Sequence, residues 1–149
     1  MSPEEIMQVA IAEARQSKTP FGAVIAKEGE IVAQAGNTVQ PDSDPTAHAE
    51  VNVIRQLTQK LGNASFEPGY TLYTTCEPCP MCAATCIWAG LSEIVYGAGA
   101  DDFPDGNPNL IDLRCQTVID RAPSEIKIRG GILKAECKQL HADYPLGDL

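Results

Sequence analysis

The sequence predicts an α/β fold in which a mixed sheet lies between helices on both of its faces. Three observations carry that expectation. Segments with helical and strand periodicity alternate in the order α-β-β-α-β-α-β-α-β-α. The chain has 149 residues, 44% of them hydrophobic, enough for one sizeable core and too apolar for a disordered chain. No internal repeat, low-complexity stretch or linker divides it, so residues 1–149 are expected to form a single domain.

The elements follow in order. Residues 3–18 set Ile6, Met7, Val9, Ala10 and Ala14 at mixed spacings of 3 and 4, an amphipathic helix. Phe21-Gly22-Ala23-Val24-Ile25-Ala26 reads as a buried strand, residues 27–30 as a turn, and residues 31–35 as the returning strand of a hairpin. Residues 36–44 are a polar loop. Residues 46–61 are helical, with Val51, Ile54, Leu57 and Leu61 on one face and Asp44 or Thr46 placed to cap them. After a loop at 62–69, the β-branched and aromatic run 70–75 predicts a third strand. Pro78 stands near the start of a helix over 79–89 that Gly90 ends. Residues 93–97 form a fourth strand, 100–109 a loop rich in Gly, Pro and Asp, and 110–119 a helix. A fifth strand at 125–129 and a helix at 132–144 complete the chain.

Charge narrows the partners. Eleven Lys and Arg against 20 Asp and Glu give a net charge of −9. Proteins that bind through phosphates usually present a basic face. Here the cations are scattered and the net field repels a polyanion at long range, which disfavours a nucleic-acid partner. No apolar run approaches the ~20 residues that span a bilayer. The acidic start Met1-Ser2-Pro3-Glu4-Glu5 lacks the basic and apolar regions of a signal peptide. A soluble, cytoplasmic protein with no membrane partner is expected.

Cysteine spacing points to chemistry. Of Cys76, Cys79, Cys82, Cys86, Cys115 and Cys137, four fall within eleven residues, which without a secretion signal suggests metal or catalysis before disulfides. Two motifs sit at predicted helix starts: His48-Ala49-Glu50 and Pro78-Cys79-Pro80-Met81-Cys82. One imidazole and two thiolates suit zinc and leave its fourth tetrahedral position for water. Zinc lowers the pKa of such a water to about 7. Thiolates at i and i+3 share a face of a helical turn, and a helix N-terminus favours them electrostatically. Glu50, two residues from His48, is placed to reach that water without ligating the ion and to carry its proton to a substrate. The expected site is therefore one Zn²⁺ per chain on His48, Cys79 and Cys82, with Glu50 catalytic. His-x-Glu followed by Pro-Cys-x-x-Cys is the pattern of zinc nucleobase deaminases. A rival reading takes Cys76, Cys79, Cys82 and Cys86 as the C-x2-C-x2-C-x3-C run of an iron–sulfur protein. Ile87 stands where that run has Pro, and no second run is present, but a structural zinc or iron–sulfur module stays open as a non-enzymatic alternative. Cys115 and Cys137 read as buried thiols acting as small hydrophobes.

The chain resembles the zinc-dependent cytidine/deoxycytidylate (cytosine/purine) deaminase superfamily. The resemblance rests on Pro20-Phe21-Gly22-Ala23-Val24-Ile25, Gly36-Asn37, Asp44-Pro45-Thr46-Ala47-His48-Ala49-Glu50 and Leu72-Tyr73-Thr74-Thr75-Cys76-Glu77-Pro78-Cys79-Pro80-Met81-Cys82. It spans about residues 1–100 in order, and bacterial guanine deaminases are the nearest look, with tRNA adenosine deaminases next. It implies a cytidine deaminase-like three-layer α/β/α sandwich with a mixed five-stranded sheet. It also implies zinc on His48, Cys79 and Cys82, Glu50 as proton shuttle, and a homodimer.

For the substrate, the resemblance implies that Asn37 hydrogen-bonds the base, Phe21 packs against its ring and the Ala49 N–H meets a ring substituent. Trp88 matches a tryptophan of guanine deaminases. Plainer readings stand beside these: a turn residue for Asn37, strand core for Phe21 and helix packing for Trp88. Cys76-Glu77 before Pro78 looks like guanine deaminases, where tRNA enzymes more often have Leu-Glu. With the net charge, this makes guanine the first expected substrate, converted with water to xanthine and ammonia in purine metabolism. The acidic stretch 101–105 offers a carboxylate for a guanine N–H. Two features depart from that pattern. Residues 143–149 do not match the aromatic tail that closes a neighbour's site in guanine deaminases, and residues 130–137 look more like the tRNA enzymes. A tRNA adenosine-to-inosine deaminase, and a deaminase of cytosine, isocytosine or another aminated heterocycle, are therefore the alternatives.

Overall fold

Alternation along the strands decides which layer each helix joins. The structure is a computed structural model that describes residues 1–104 and 111–145. Strand β1 (Gly22–Lys27) turns Ala23 and Ile25 into one apolar core and Val24 and Ala26 into another. Strands β2 (Glu30–Gly36), β3 (Tyr70–Cys76), β4 (Glu93–Ala98) and β5 (Lys127–Arg129) complete a sheet of order β2-β1-β3-β4-β5. β1 runs antiparallel to β2 and β3, whereas β3, β4 and β5 are parallel, so the sheet is mixed.

The first core takes helices α3 (Ala49–Leu61), α4 (Pro80–Ala89) and α5 (Cys115–Asp120) through Val53, Leu57, Ala83, Cys86, Cys115 and Ile119. The second takes α1 (Pro3–Ser17) and α6 (Lys134–Asp143) through Met7, Ala10, Ala14, Cys137 and Leu140. Three layers result, as the sequence predicts. Close approach of helix to sheet depends on two glycines. A Cβ on Gly22 would strike the Ala10 carbonyl of α1 and come within 2.6 Å of the Ala14 nitrogen. A Cβ on Gly97 would collide with the Cys137 sulfur of α6. No helix among the described residues is long and apolar enough to cross a membrane.

The topology gathers one edge of the sheet. Ala23 at the start of β1 lies opposite Thr74, Gly22 lies opposite Gly36 at the end of β2, and Cys76 at the end of β3 lies opposite Ala98 at the end of β4. The loop after β2 leads into α3, and the turn after β3 leads into α4. Both helices therefore start at this edge.

Several boundaries differ from expectation, each for a local reason. Residues 36–44 contain a one-turn helix, α2 (Val39–Asp42). The helix expected from residue 46 begins at Ala49, because Asp44 is spent on a turn: its Oδ1 accepts from the Thr46 N–H (2.8 Å) and hydroxyl (2.7 Å). Neither Asp44 nor Thr46 caps α3; His48 holds that position without a capping bond from its side chain. Pro80, rather than Pro78, opens α4. The loop expected at 100–109 carries a 3-10 turn at Ala100–Asp102, and its residues 105–109 lie outside the described residues. The helix expected at 110–119 starts only at Cys115, since Arg114 is held by Asp101 (2.9 Å) and Asp112 (3.0 Å). Its first residue, Leu110, is not described. β5 is shorter than expected, and α6 starts after Leu133, which adopts a left-handed conformation with φ 52°.

Candidate metal centre

His48 and Cys79 occupy matching places, each the last extended residue before a helix. Cys82 sits one turn inside α4 and is fully buried. The His48 Nδ1 lies 3.7 Å from the Cys79 sulfur and 3.6 Å from the Cys82 sulfur, and the three donor atoms all lie within 4.8 Å of one another. Bond lengths of about 2.0 Å to nitrogen and about 2.3 Å to sulfur, at tetrahedral angles, call for nitrogen and sulfur about 3.5 Å apart. The donor set fits zinc in both chemistry and spacing. Among the described residues it is the one His/Cys/Asp/Glu group so arranged, and Cys76 and Cys86 stand outside it. An imidazole in the set and two excluded thiols speak against the four-cysteine iron–sulfur reading.

The surrounding loops are tied down by side chains that motif matching passes over. Asn52 Nδ2, one turn into α3, donates to the Gly36 carbonyl (2.9 Å), the Thr38 hydroxyl (2.9 Å) and the Ala47 carbonyl (3.2 Å), fixing the loop that carries His48. The buried Thr75 hydroxyl donates to the Pro20 carbonyl (2.8 Å) and accepts from Gly22 N–H (3.1 Å), which holds Phe21 at the edge. Glu77, next to the Pro78-Cys79 turn, accepts from Ala100 N–H on Oε1 (3.1 Å) and from Cys115 N–H on Oε2 (3.0 Å). One carboxylate thus pins both ends of the segment between β4 and α5.

Electrostatics follow from burial and from the cluster itself. Glu50 is buried with 6% of its surface exposed, and that burial, reinforced by the nearby Cys79, pushes its carboxyl up to about 7. The Cys82 thiol and backbone N–H, with His48, hold Cys79 down at about 4. The hydrogen bond to Cys79 in turn raises His48. Cys82 is raised by its hydrogen bond to Cys79 and by burial. Burial raises Cys76 and Cys86, and pushes Cys115 and Cys137 up to about 12, as fits thiols that pack rather than react.

The remaining expected residues are placed unevenly. Asn37 is buried at the end of β2; its Oδ1 accepts from Val39 N–H (3.0 Å) and its own N–H donates to the Phe21 carbonyl (3.3 Å). Both its turn role and its position at the metal-bearing edge are therefore real. Phe21 is partly buried against the first core at the same edge. Ala49 is the first residue of α3, where a helix leaves its N–H groups without intrahelical acceptors. Trp88 is set apart. It is 81% exposed near the end of α4, six residues past Cys82 and about 9 Å further along the helix axis. In the acidic stretch, Asp101 pairs with Arg114, and Asp102 accepts from Gly99 N–H (2.8 Å) and pairs with Lys134 (3.2 Å); Asp105 is not described.

Sequence reasoning missed His141. It lies in the last turn of α6, its ring edge-on to Phe21 (centroids 5.8 Å apart) and to Phe103 (4.7 Å). A lone histidine in a polar helix matches no motif, so only the three-dimensional contacts reveal it.

Comparison with known proteins agrees with this geometry. The family described as the cytidine and deoxycytidylate deaminase zinc-binding region matches residues 1–98. Guanine deaminase of Bacillus subtilis (strain 168) is 47% identical over 83 residues, covering 56% of this chain and 53% of that protein. The chain therefore spans about half the length of that relative. The tRNA-specific adenosine deaminase of the same organism is 34% identical over 142 residues, covering 92% of this chain and 85% of the relative. The solved guanine deaminase from Nitrosomonas europaea superposes with a TM-score of 0.81 at 25% identity, over 96% of this chain and 85% of that one.

Proposed function

The chain belongs to the cytidine and deoxycytidylate deaminase zinc-binding family, and from that premise we propose that it is a zinc-dependent hydrolytic deaminase of a free nucleobase, with guanine as the first substrate. The observation that carries the chemistry is the His48–Cys79–Cys82 donor set at zinc spacing in a family with a zinc-binding region. Zinc bound there supplies a water of lowered pKa as the nucleophile.

The chain's own residues do the rest. Glu50 accepts the proton that the water loses and passes it to the ring nitrogen beside the amine-bearing carbon. It then takes the remaining proton from the oxygen now bonded to that carbon and delivers it to the amine, which leaves as ammonia. Guanine and water become xanthine and ammonia, with no other reactant. The carbonyl end of Asn37 is engaged by Val39, so its amide donor end faces the task of binding a ring acceptor. The Ala49 N–H offers a second donor at the start of α3. Phe21 gives the ring an apolar surface at the same edge.

Two observations favour a free base acting as substrate in the cytoplasm. A chain of net charge −9 repels a polyanion, and the 47% identity over 83 residues is to a guanine deaminase. A second reading, deamination of adenosine in tRNA, is favoured by a relative that aligns over 92% of the chain. The test is ammonia release by zinc-loaded protein from guanine, cytosine, isocytosine and adenine, beside inosine formation in an anticodon stem-loop. Turnover of guanine is expected. Inosine formation without turnover of any free base selects the second reading, and silence in both assays overturns the two together. The proposal includes a homodimer, read by light scattering at twice the 15.9 kDa chain mass.

A further inference from the structure

His141 presents a problem that the fold alone does not solve. Both of its ring nitrogens are buried, and neither has a hydrogen-bond partner among the described residues. A buried polar atom without a partner costs about 1–3 kcal/mol, and native proteins hold few such groups. The ring is not idle filler either, because an apolar residue of similar size would pack there without that cost.

Its neighbours say where it stands. Phe21 immediately precedes β1 and packs on the core shared with the metal ligands' helices, while Phe103 follows the 3-10 turn after β4 and packs on the opposite core. His141 touches both rings, so it lies where the two layers meet, beside the residue that leads into β1. Two ties keep α6 in register. Arg15 holds Asp143 two residues further along (3.1 Å), and Lys134 at the other end of the helix holds Asp102 (3.2 Å). Burial holds the imidazole well below its usual value, at about 4, so at neutral pH it carries one N–H donor and one bare acceptor.

We propose that His141 is a specificity-determining residue: a base seated against Phe21 supplies the hydrogen-bond partner that the imidazole lacks in the free protein. The inference rests on the deaminase reading above. It explains why a costly polar group is kept at the sheet edge that bears the metal site. It also predicts selection among aminated heterocycles. A base with a complementary donor or acceptor beyond the reacting amidine gains a bond, and a base without one leaves the imidazole unpaired.

His141→Phe is the discriminating variant, since it keeps an aromatic ring between Phe21 and Phe103 and removes both nitrogens. It is expected to unfold at the same or higher denaturant concentration than wild type, yet to lose at least tenfold in kcat/KM for guanine, mostly through KM. His141→Gln, which restores a donor and an acceptor, is expected to recover part of the loss. Unchanged kcat/KM in a folded His141→Phe protein overturns the inference and leaves the deaminase reading standing. A wild type inert toward the whole panel of bases overturns both. Should His141→Phe fail to fold, a protein with His141 intact still answers. The chain has only two histidines, so ring ¹⁵N signals separate His141 from His48. Guanine added to the zinc-loaded Glu50→Gln protein is expected to shift one His141 nitrogen, and an unmoved pair of signals at saturating base overturns the inference.

Discussion

Residues 1–98 and residues 99–145 solve different problems by different means. In the first region the ligands are set by short-range rules: an extended residue before a helix, a thiolate one turn in, and a buried carboxylate two residues from the histidine. In the second region the informative contacts are long-range. Glu77 reaches 23 residues to Ala100 and 38 to Cys115, and His141 touches Phe21 from the far end of the chain. Local geometry thus gathers the metal donors, and long-range contacts fix the segments beside them. The family match, which ends at residue 98, falls on the same line.

The largest effects are expected in the first region. Dialysis against a strong chelator should abolish ammonia release and lower the melting temperature, because a site that binds metal only when folded adds its binding energy to stability. Added zinc should restore both. Retained turnover in metal-free protein would break the contrast outright. Glu50→Ala is expected to lower kcat by roughly 10²–10⁴, the usual worth of a positioned acid–base group, while zinc stays at one per chain by elemental analysis. A purely structural metal module requires instead that this variant behave like wild type.

That same contrast explains what could be read from the sequence. His48, Cys79 and Cys82 are legible because zinc fixes both residue type and spacing, and the two helix starts bring them to one edge of the sheet. The mixed sheet and its two helical layers are legible because strand alternation and helical periodicity carry over from one dimension to three. The start of α5 is not, because Arg114 is drawn out by two aspartates and Cys115 is set by a carboxylate 38 residues away. Trp88 shows the opposite limit. The resemblance makes it an expected substrate contact, yet it lies on an exposed face of α4. The cap of α3 escaped because Asp44, a good capping residue by type, closes its own turn first.

A middle-sized effect should appear where the regions join. Glu77→Gln retains the side-chain length but leaves one carbonyl oxygen for two backbone N–H groups. About a tenfold rise in KM for guanine is expected, in line with about 1.4 kcal/mol for one such bond, with zinc content and kcat near wild type. A fall in kcat and zinc content instead would assign Glu77 to the metal turn rather than to the segment that follows β4.

The smallest expected effect is a pH dependence of stability, and its sign is diagnostic. His141 titrates near 6.5 in an unfolded chain and at about 4 in the folded one, where burial opposes its charge. Between those values the unfolded chain binds a proton that the folded chain refuses, so this group lowers stability as pH falls from about 6.5 toward 4 and is silent above. Glu50 acts in the opposite direction: its carboxyl, raised to about 7, keeps a proton in the fold that an unfolded chain has released, so it adds stability over much of the same window. The two partly cancel in the wild type. Asp143, lowered by its hydrogen bonds to Gln139 and Arg15, favours the fold throughout this window and loses that contribution only as the pH falls below its ordinary value of 3.8. Urea unfolding of wild type and His141→Phe, each from pH 7.5 to 4.5, separates these groups. The variant should gain on the wild type steadily as the pH drops through 6.5, and parallel curves would mean that the imidazole is solvated rather than enclosed between Phe21 and Phe103.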